Sequence, residues 1–239
     1  MLQTKAYKHI RSKLLSGQFP PTQRISARRL AEELDVSLTP VREAILRLSN
    51  EGLIHRVPQS GTYPRQVTRD ELQGMLELRQ AIESMAAAAA AERAKPAAVD
   101  EIRHCCETFG QLAAKIERQD PSHPTGDVLQ QAAKAERAFH EAVVMAADNP
   151  VAERMFGECR VLTAYSQLHC ELIGTVSLED MRWSYHNHAE ILAAIESRNP
   201  QAARSLMFEH IGGAMRSILE RYDRWVTQKG QCPNDSPAT

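Results

Sequence analysis

The sequence predicts a mostly α-helical protein in two parts, and three observations predict it. An N-terminal stretch orders as helix, helix, tight turn, helix and short β-hairpin, the arrangement of a winged helix-turn-helix (three helices plus a hairpin). From Arg69 onward nearly every segment carries helical periodicity and amounts to an all-α bundle of about six helices. The charge divides at the same place. Residues 1–66 hold eleven Lys/Arg against five Asp/Glu, a net of +6, whereas residues 67–239 hold 18 against 25, a net of −7. A small basic unit joined to a larger acidic one points to a polyanion as the partner of the first.

Within the first part, Ala6, Ile10, Leu14 and Leu15 recur at helical spacing and Gly17 stops the run. Phe19-Pro20-Pro21 breaks the chain. Ser26 is placed to cap a short helix from Ala27 to Leu34, and Ser37 to cap another from Leu38 to Asn50 with Val41, Ile45 and Leu48 inside. Leu53 to Val57 and Thr62-Tyr63 read as strands around a turn at Pro58-Gln59-Ser60-Gly61. The helix-turn-helix itself spans about 27–46.

In the second part, Asp70 to Arg93 is a long helix expected to turn Leu72, Leu76, Leu78, Ile82, Met85 and Ala89 inward. Helices follow over Val99–Gln119, Val128–Ala147, Val151–Ile173, Leu178–Ser197 and Pro200–Trp225, with Asp120 to Gly126 as the clearest loop. The bundle is assigned to residues 67–229 and the 230–239 tail, rich in turn formers, is expected to fray.

Composition narrows the classes. The longest apolar run, Met85 to Ala91, is far short of the roughly 20 residues of a membrane span. No secretory leader pattern opens the chain, and five Cys at 105, 106, 159, 170 and 232 follow no disulfide framework, so a cytoplasmic setting is expected. A Gly-rich phosphate loop, His-Glu-x-x-His and Cys-x-x-Cys are all missing, and no nucleophile stands with a base. An enzyme is not expected. Cys105-Cys106 reads as packing.

Two constellations carry chemistry. The second helix of a helix-turn-helix enters the major groove by its N-terminal residues, here Ser37, Thr39, Pro40 and Arg42; Arg42 can fork onto a guanine edge. Arg28 starts the preceding helix where it crosses the backbone, and Gln59, Ser60 and Gly61 form the wing tip, the glycine allowing close approach to a groove. The bland alternatives are an Arg42–carboxylate pair and a purely capping Ser37. In the bundle, Glu136 and His140 lie four apart on one helix face, and His188 and His210 lie on two later helices either side of the Asn199-Pro200 turn. One carboxylate and three imidazoles suit zinc, with nickel or manganese as alternatives. Arg79 sits among apolar neighbours, a poor place for an unpaired cation; it either holds an effector carboxylate or pairs with Glu83 or Glu136. Tyr185, His186 and His169 could add polar cavity contacts but read as surface or core, and Asn149-Pro150 reads as a helix terminator.

Residues 5–66, chiefly Leu30 to Leu48 with Glu51-Gly52-Leu53-Ile54 and Gln59-Ser60-Gly61-Thr62, resemble the DNA-binding domain of the GntR family of bacterial transcription regulators. Two positions depart: Leu38 stands where the family has Arg, and Asp35 where it has Gly. The first removes a base or phosphate contact, whereas Asp tolerates the left-handed backbone the turn needs. Residues 70–226 resemble the FCD effector domain of the FadR-like branch, on Glu77-Leu-Arg79 to Glu83, Phe139-His140, Ala147-Asp-Asn149-Pro150, His188 to Ile195, and Glu209-His210-Ile211. That resemblance implies a divalent metal held by one acid, here Glu136 in place of the usual Asp, and by His140, His188 and His210, with Arg79 facing a ligand cavity. It implies a homodimeric repressor that binds double-stranded operator DNA and answers to a small carboxylate. The alternatives are a metal-free regulator of acyl or aromatic ligands, a metal sensor, and a metal hydrolase with Glu136 as base.

Overall fold

The computed structural model describes residues 2–15, 18–19, 23–119, 126–169 and 177–229. The Asp120–Thr125 part of the expected loop, Gly17, Cys170, Cys232 and the 230–239 tail therefore lie outside the described residues.

Helices α1 (Leu2–Leu15), α2 (Ala27–Leu34) and α3 (Leu38–Asn50) precede strands β1 (Ile54–Val57) and β2 (Gly61–Pro64). The strands pair antiparallel, His55 opposite Tyr63 and Arg56 opposite Thr62. Ser26 caps α2 through its hydroxyl, which accepts from Arg29 N at 3.3 Å. Ser37 occupies the N-cap position of α3 but its side chain accepts no capping bond, so the expected cap is positional only. Asp35 takes φ 51°, and its N–H closes onto α2. Ala6, Ile10 and Leu14 are fully buried against Val41, Ile45 and Leu48, as their spacing requires.

The second part comprises α4 (Arg69–Arg93), α5 (Pro96–Gln119), α6 (Gly126–Ala146), α7 (Pro150–His169), α8 (Leu178–Glu196) and α9 (Pro200–Lys229). Thr68 and Glu71 form a reciprocal capping box at the start of α4, and Ser177 and Asp180 another at α8. Pro96 is the first residue of α5, where its missing N–H costs nothing. Asp148 (φ 49°) follows the end of α6, and Asn149 stands just before α7, its Oδ1 accepting from Val151 N and Ala152 N, both at 3.2 Å. Asn149 is therefore an N-cap rather than only a terminator.

Helix α4 runs through the bundle against α6, α7, α8 and α9. This explains why Ala86 to Ala91 are buried without a break: small side chains admit neighbours on all sides. Leu78 departs from its inward assignment and is exposed at 46%. At 100° per residue it lies on the opposite side of the helix from buried Leu76. Buried Leu72 and Leu76 of α4 and Ile218, Leu219 and Tyr222 of α9 join the apolar core of the winged helix, and Tyr222 donates to Val67 O at 3.1 Å. One apolar cluster thus bridges the basic and acidic parts, and the bundle has further clusters of its own. Cys105 and Cys106 are buried in the bundle, where burial raises both thiols to about 11, in keeping with packing residues.

Candidate functional site

The winged helix exposes a coherent surface. Ser37, Thr39 and Arg42 are exposed along the start of α3, Pro40 is half-buried beside them, and Arg42 has no carboxylate partner among the described residues. Arg28 pairs with Glu32 at 3.3 Å across two largely exposed side chains, a contact that water screens heavily. Gln59 and Ser60 are exposed at the wing tip, with Gln59 at φ 61°. Gly61, at φ 137°, has a use within the chain: a Cβ there would stand 2.6 Å from Arg24 Nε. Ile25 N bonds Thr62 O at 2.7 Å, drawing exposed Arg24 onto the wing. Arg24 went unread in the sequence because the pairing that places it joins residues 37 apart. Leu38 is half-buried and packs against the core.

Glu136, His140, His188 and His210 converge in the bundle from α6, α8 and α9, each offering one donor atom, and these atoms lie within 4.8 Å of one another. Glu136 Oε1 is 3.4 Å from His140 Nε2, 3.7 Å from His188 Nε2 and 3.9 Å from His210 Nε2. His140 Nε2 and His210 Nε2 are 3.3 Å apart. The imidazoles are almost wholly buried, whereas Glu136 is 29% exposed. The separations of 3.3 to 3.9 Å suit ligands each about 2.1 Å from a shared centre. Both nitrogens of His188, Nδ1 of His210 and Oε2 of Glu136 are buried without a hydrogen-bond partner among the described residues. Of these, His188 Nε2 faces the cluster, 3.7 Å from Glu136 Oε1, and a divalent cation there would satisfy it. Among the described residues, the donor set therefore fits a metal.

The electrostatics follow from the crowding. Burial opposes the charge of Glu136, but the imidazoles of His188 and His140 outweigh it and hold the carboxyl well below its ordinary range. Burial pushes His188 down, and His140 and His210 add to this against the pull of Glu136. His210 falls to about 4, chiefly through burial and then the charge of His140. His140 rises to about 9 despite burial, because Glu83 and Glu136 flank it.

Glu83, fully buried on α4, is the residue that sequence reasoning placed only as a partner for Arg79. Its Oε1 accepts from Arg79 Nε at 2.7 Å, and its Oε2 lies 2.5 Å from His140 Nδ1. Arg79 and His140 overcome the burial of Glu83 and keep it ionised, at about 2. A carboxylate on Nδ1 turns Nε2 of His140 toward the cluster, as outer carboxylates orient metal-bound imidazoles. The signal in the sequence was the four-residue spacing of Arg79 and Glu83, which could not reveal the contact with α6.

Beside the cluster lies a cavity of about 410 Å³. Arg79, Glu136, His140 and His210 form one end, and Phe109, Leu129, Ala132, Phe156, Met181 and Ile218 contribute apolar wall. Trp183, 40% exposed, stacks on His210 with ring centres 5.2 Å apart, in space that a Cβ on Gly213 would occupy at 2.6 Å. His188 lies behind the wall, its ring against Phe139 at 3.8 Å. Tyr185 and His186 are exposed, Tyr185 covering Gly110 and His186 pairing with Glu190. The side chain of His169 lies outside the described residues.

Residues 2–63 match the GntR family of bacterial regulatory proteins and residues 74–213 match the FCD domain. The chain is 25% identical over 215 residues to the HTH-type transcriptional regulator McbR of Escherichia coli, covering 90% of this chain and 91% of that one. It is 25% identical to the Nta operon transcriptional regulator of Aminobacter aminovorans, covering 93% and 97%. It is 26% identical to a probable D-xylose utilization operon transcriptional repressor of Paenarthrobacter nicotinovorans, covering 83% and 80%. Among solved structures, E. coli McbR/YncC shares the fold with a TM-score of 0.73 at 24% identity, covering 93% of this chain and 99% of that one. A GntR-type regulator from a Rhodococcus species does so at 0.71 and 18%, covering 91% and 97%. No helix among the described residues is long and apolar enough to cross a membrane. The winged helix, the bundle behind it and these matches together make the chain a member of the GntR family of bacterial transcription regulators, in the FadR-like branch with an FCD effector domain, and not an enzyme.

Proposed function

We propose that this regulator is a dimeric repressor whose paired winged helices bind a palindromic operator, and that a small organic acid bound beside a divalent metal releases it. The observation that carries the reading is the convergence of one carboxylate and three buried imidazoles, Glu136, His140, His188 and His210, beside a cavity that Glu136, His140 and His210 line. Zinc suits this donor set first, with nickel and manganese as alternatives. Bound there, the ion supplies a Lewis-acid point for an acid's oxygens. Arg79, neutralised on one side by Glu83 and 15% exposed, borders the same space and offers its remaining N–H groups to the carboxylate. Ser37, Thr39, Pro40 and Arg42 on α3, with Arg28, Gln59, Ser60 and Gly61, form the DNA-reading surface. The name of the Paenarthrobacter relative supports repression.

An acid changes operator affinity only through its preference for one arrangement of the two parts. The 64–70 connection is the place for that coupling. Arg65 pairs with Glu71, Arg69 with Asp223 at 2.8 Å, and Tyr222 holds Val67 O from the helix that also walls the cavity.

The test is the metal content of purified wild type beside His188→Ala, with operator binding measured before and after chelation. One ion per chain, lost in the variant, and operator release by an acid only in the metal-loaded protein support the reading. An acid response unaffected by chelation overturns the metal's part, and release by the ion alone makes the protein a metal sensor.

A further inference from the structure

The far end of the cavity differs from the metal end. Arg221 of α9 lines it with a side chain 10% exposed; its guanidinium reaches Asp180 at 3.3 Å through one terminal nitrogen, while its buried Nε has no partner among the described residues. A guanidinium that lines a cavity and gives one terminal nitrogen to a carboxylate keeps further N–H groups for a ligand's anionic group. Of the arginines in the wall, Arg79 meets Glu83 and Arg221 meets Asp180, while Arg216 is exposed.

The span between the ends is long and apolar. His210 and Arg221 stand eleven residues apart on α9, about 16 Å along the axis, and the Arg221 stem leans back toward the start of the helix, which shortens the gap. Phe109, Leu129, Ala132, Met181 and Ile218 line the same cavity. The uncharged hydrogen-bonding side chains of the lining are Ser184, Ser217 and the indole of Trp183. A polyhydroxy acid would leave most of its hydroxyls unpaired in such a wall, a penalty an alkyl chain does not meet.

We propose that the effector is an elongated dianion: an acid head at the Glu136/His140/His210 end, an apolar body, and a second anionic group received by Arg221. This rests on the reading of the cavity as an acid site and narrows it away from sugar acids.

Calorimetric titration of zinc-loaded, full-length protein tests it with four probes: suberate, octanoate of equal length with one acid fewer, 3,6-dioxaoctanedioate with the same two acids on a polar body, and citrate as a strong chelator. Suberate is expected to bind at least about tenfold tighter than octanoate, the value of a charged hydrogen bond in a buried site, and tighter than the dioxa analogue. Arg221→Met, which keeps the aliphatic stem, is expected to bring suberate down to octanoate and leave octanoate unchanged; melting curves report whether it folds, and if it does not, the wild-type ratios decide alone. Equal binding of suberate and octanoate, or tighter binding of the dioxa analogue, with citrate still bound, overturns this inference and leaves the acid site standing. Failure of all four to bind overturns both.

Discussion

Glu83 Oε2 lies 2.5 Å from His140 Nδ1, fixing a buried imidazole of α6 from the central helix α4. The same carboxylate accepts from Arg79 Nε at 2.7 Å. One residue thus ties the cavity-facing arginine to the histidine cluster, and both ends of this link can be tested.

Glu83→Gln removes the counter-charge of a mostly buried guanidinium and the group that orients His140. A stability loss of about 3–5 kcal/mol is expected, the cost of breaking a buried pair from one side. Zinc affinity should fall about 10- to 100-fold. Denaturant melts and competition with a fluorescent chelator measure the two; unchanged zinc affinity would show that Glu83 only balances Arg79.

The metal-free cluster should be most stable near pH 6.5. His210 takes its proton only near pH 4, so the unfolded chain binds more protons between 6.5 and 4, and stability falls as the pH drops through that window. His188 acts in the same direction. His140, raised to about 9, contributes stability below 6.5 that is lost as the pH climbs toward 9. Thermal melts of chelator-treated protein from pH 4 to 9 should trace a maximum; a steady rise to pH 9 would contradict it.

Gly213→Val puts side-chain atoms where the Trp183 ring now lies, 2.6 Å from the first added carbon. Trp183 is half-exposed, so the ring is expected to swing out while the backbone holds. Its emission should shift to the red with a stability cost at or below about 1 kcal/mol, under the usual range for overpacking a closed core. Unshifted emission with a large stability loss would mean that the helices moved apart instead.

Leu38→Arg puts a cation at the start of α3, the helix proposed to read DNA. Operator binding should tighten, and the slope of log affinity against log salt should steepen by about 0.9, one phosphate's worth. Arg42→Ala should act differently, costing about 1–3 kcal/mol on the operator and relaxing discrimination at one base pair. Equal losses on operator and random DNA would reassign Arg42 to the backbone.

Much of the architecture was legible because helices declare themselves locally. The spacing of Ala6, Ile10 and Leu14, the Asp35-Val36 turn and the Ser26 cap each act over a few residues, and each acts as its pattern requires. Ser37 and Leu78 were misjudged for related reasons. A capping residue type does not guarantee a capping bond, and an apolar residue in a helix is not thereby on its buried side.

By itself, the sequence determined the winged helix-turn-helix followed by a helical bundle, the helical periods, and which residue types could form a metal cluster. Only the tertiary structure decided that Glu83 reaches His140, that Arg24 lies on the wing, that Trp183 covers His210, and that Arg221 faces the cavity. Each of these contacts joins different elements. Periodicity fixes which way a side chain points from its own helix, and the packing of helices on one another fixes what it meets.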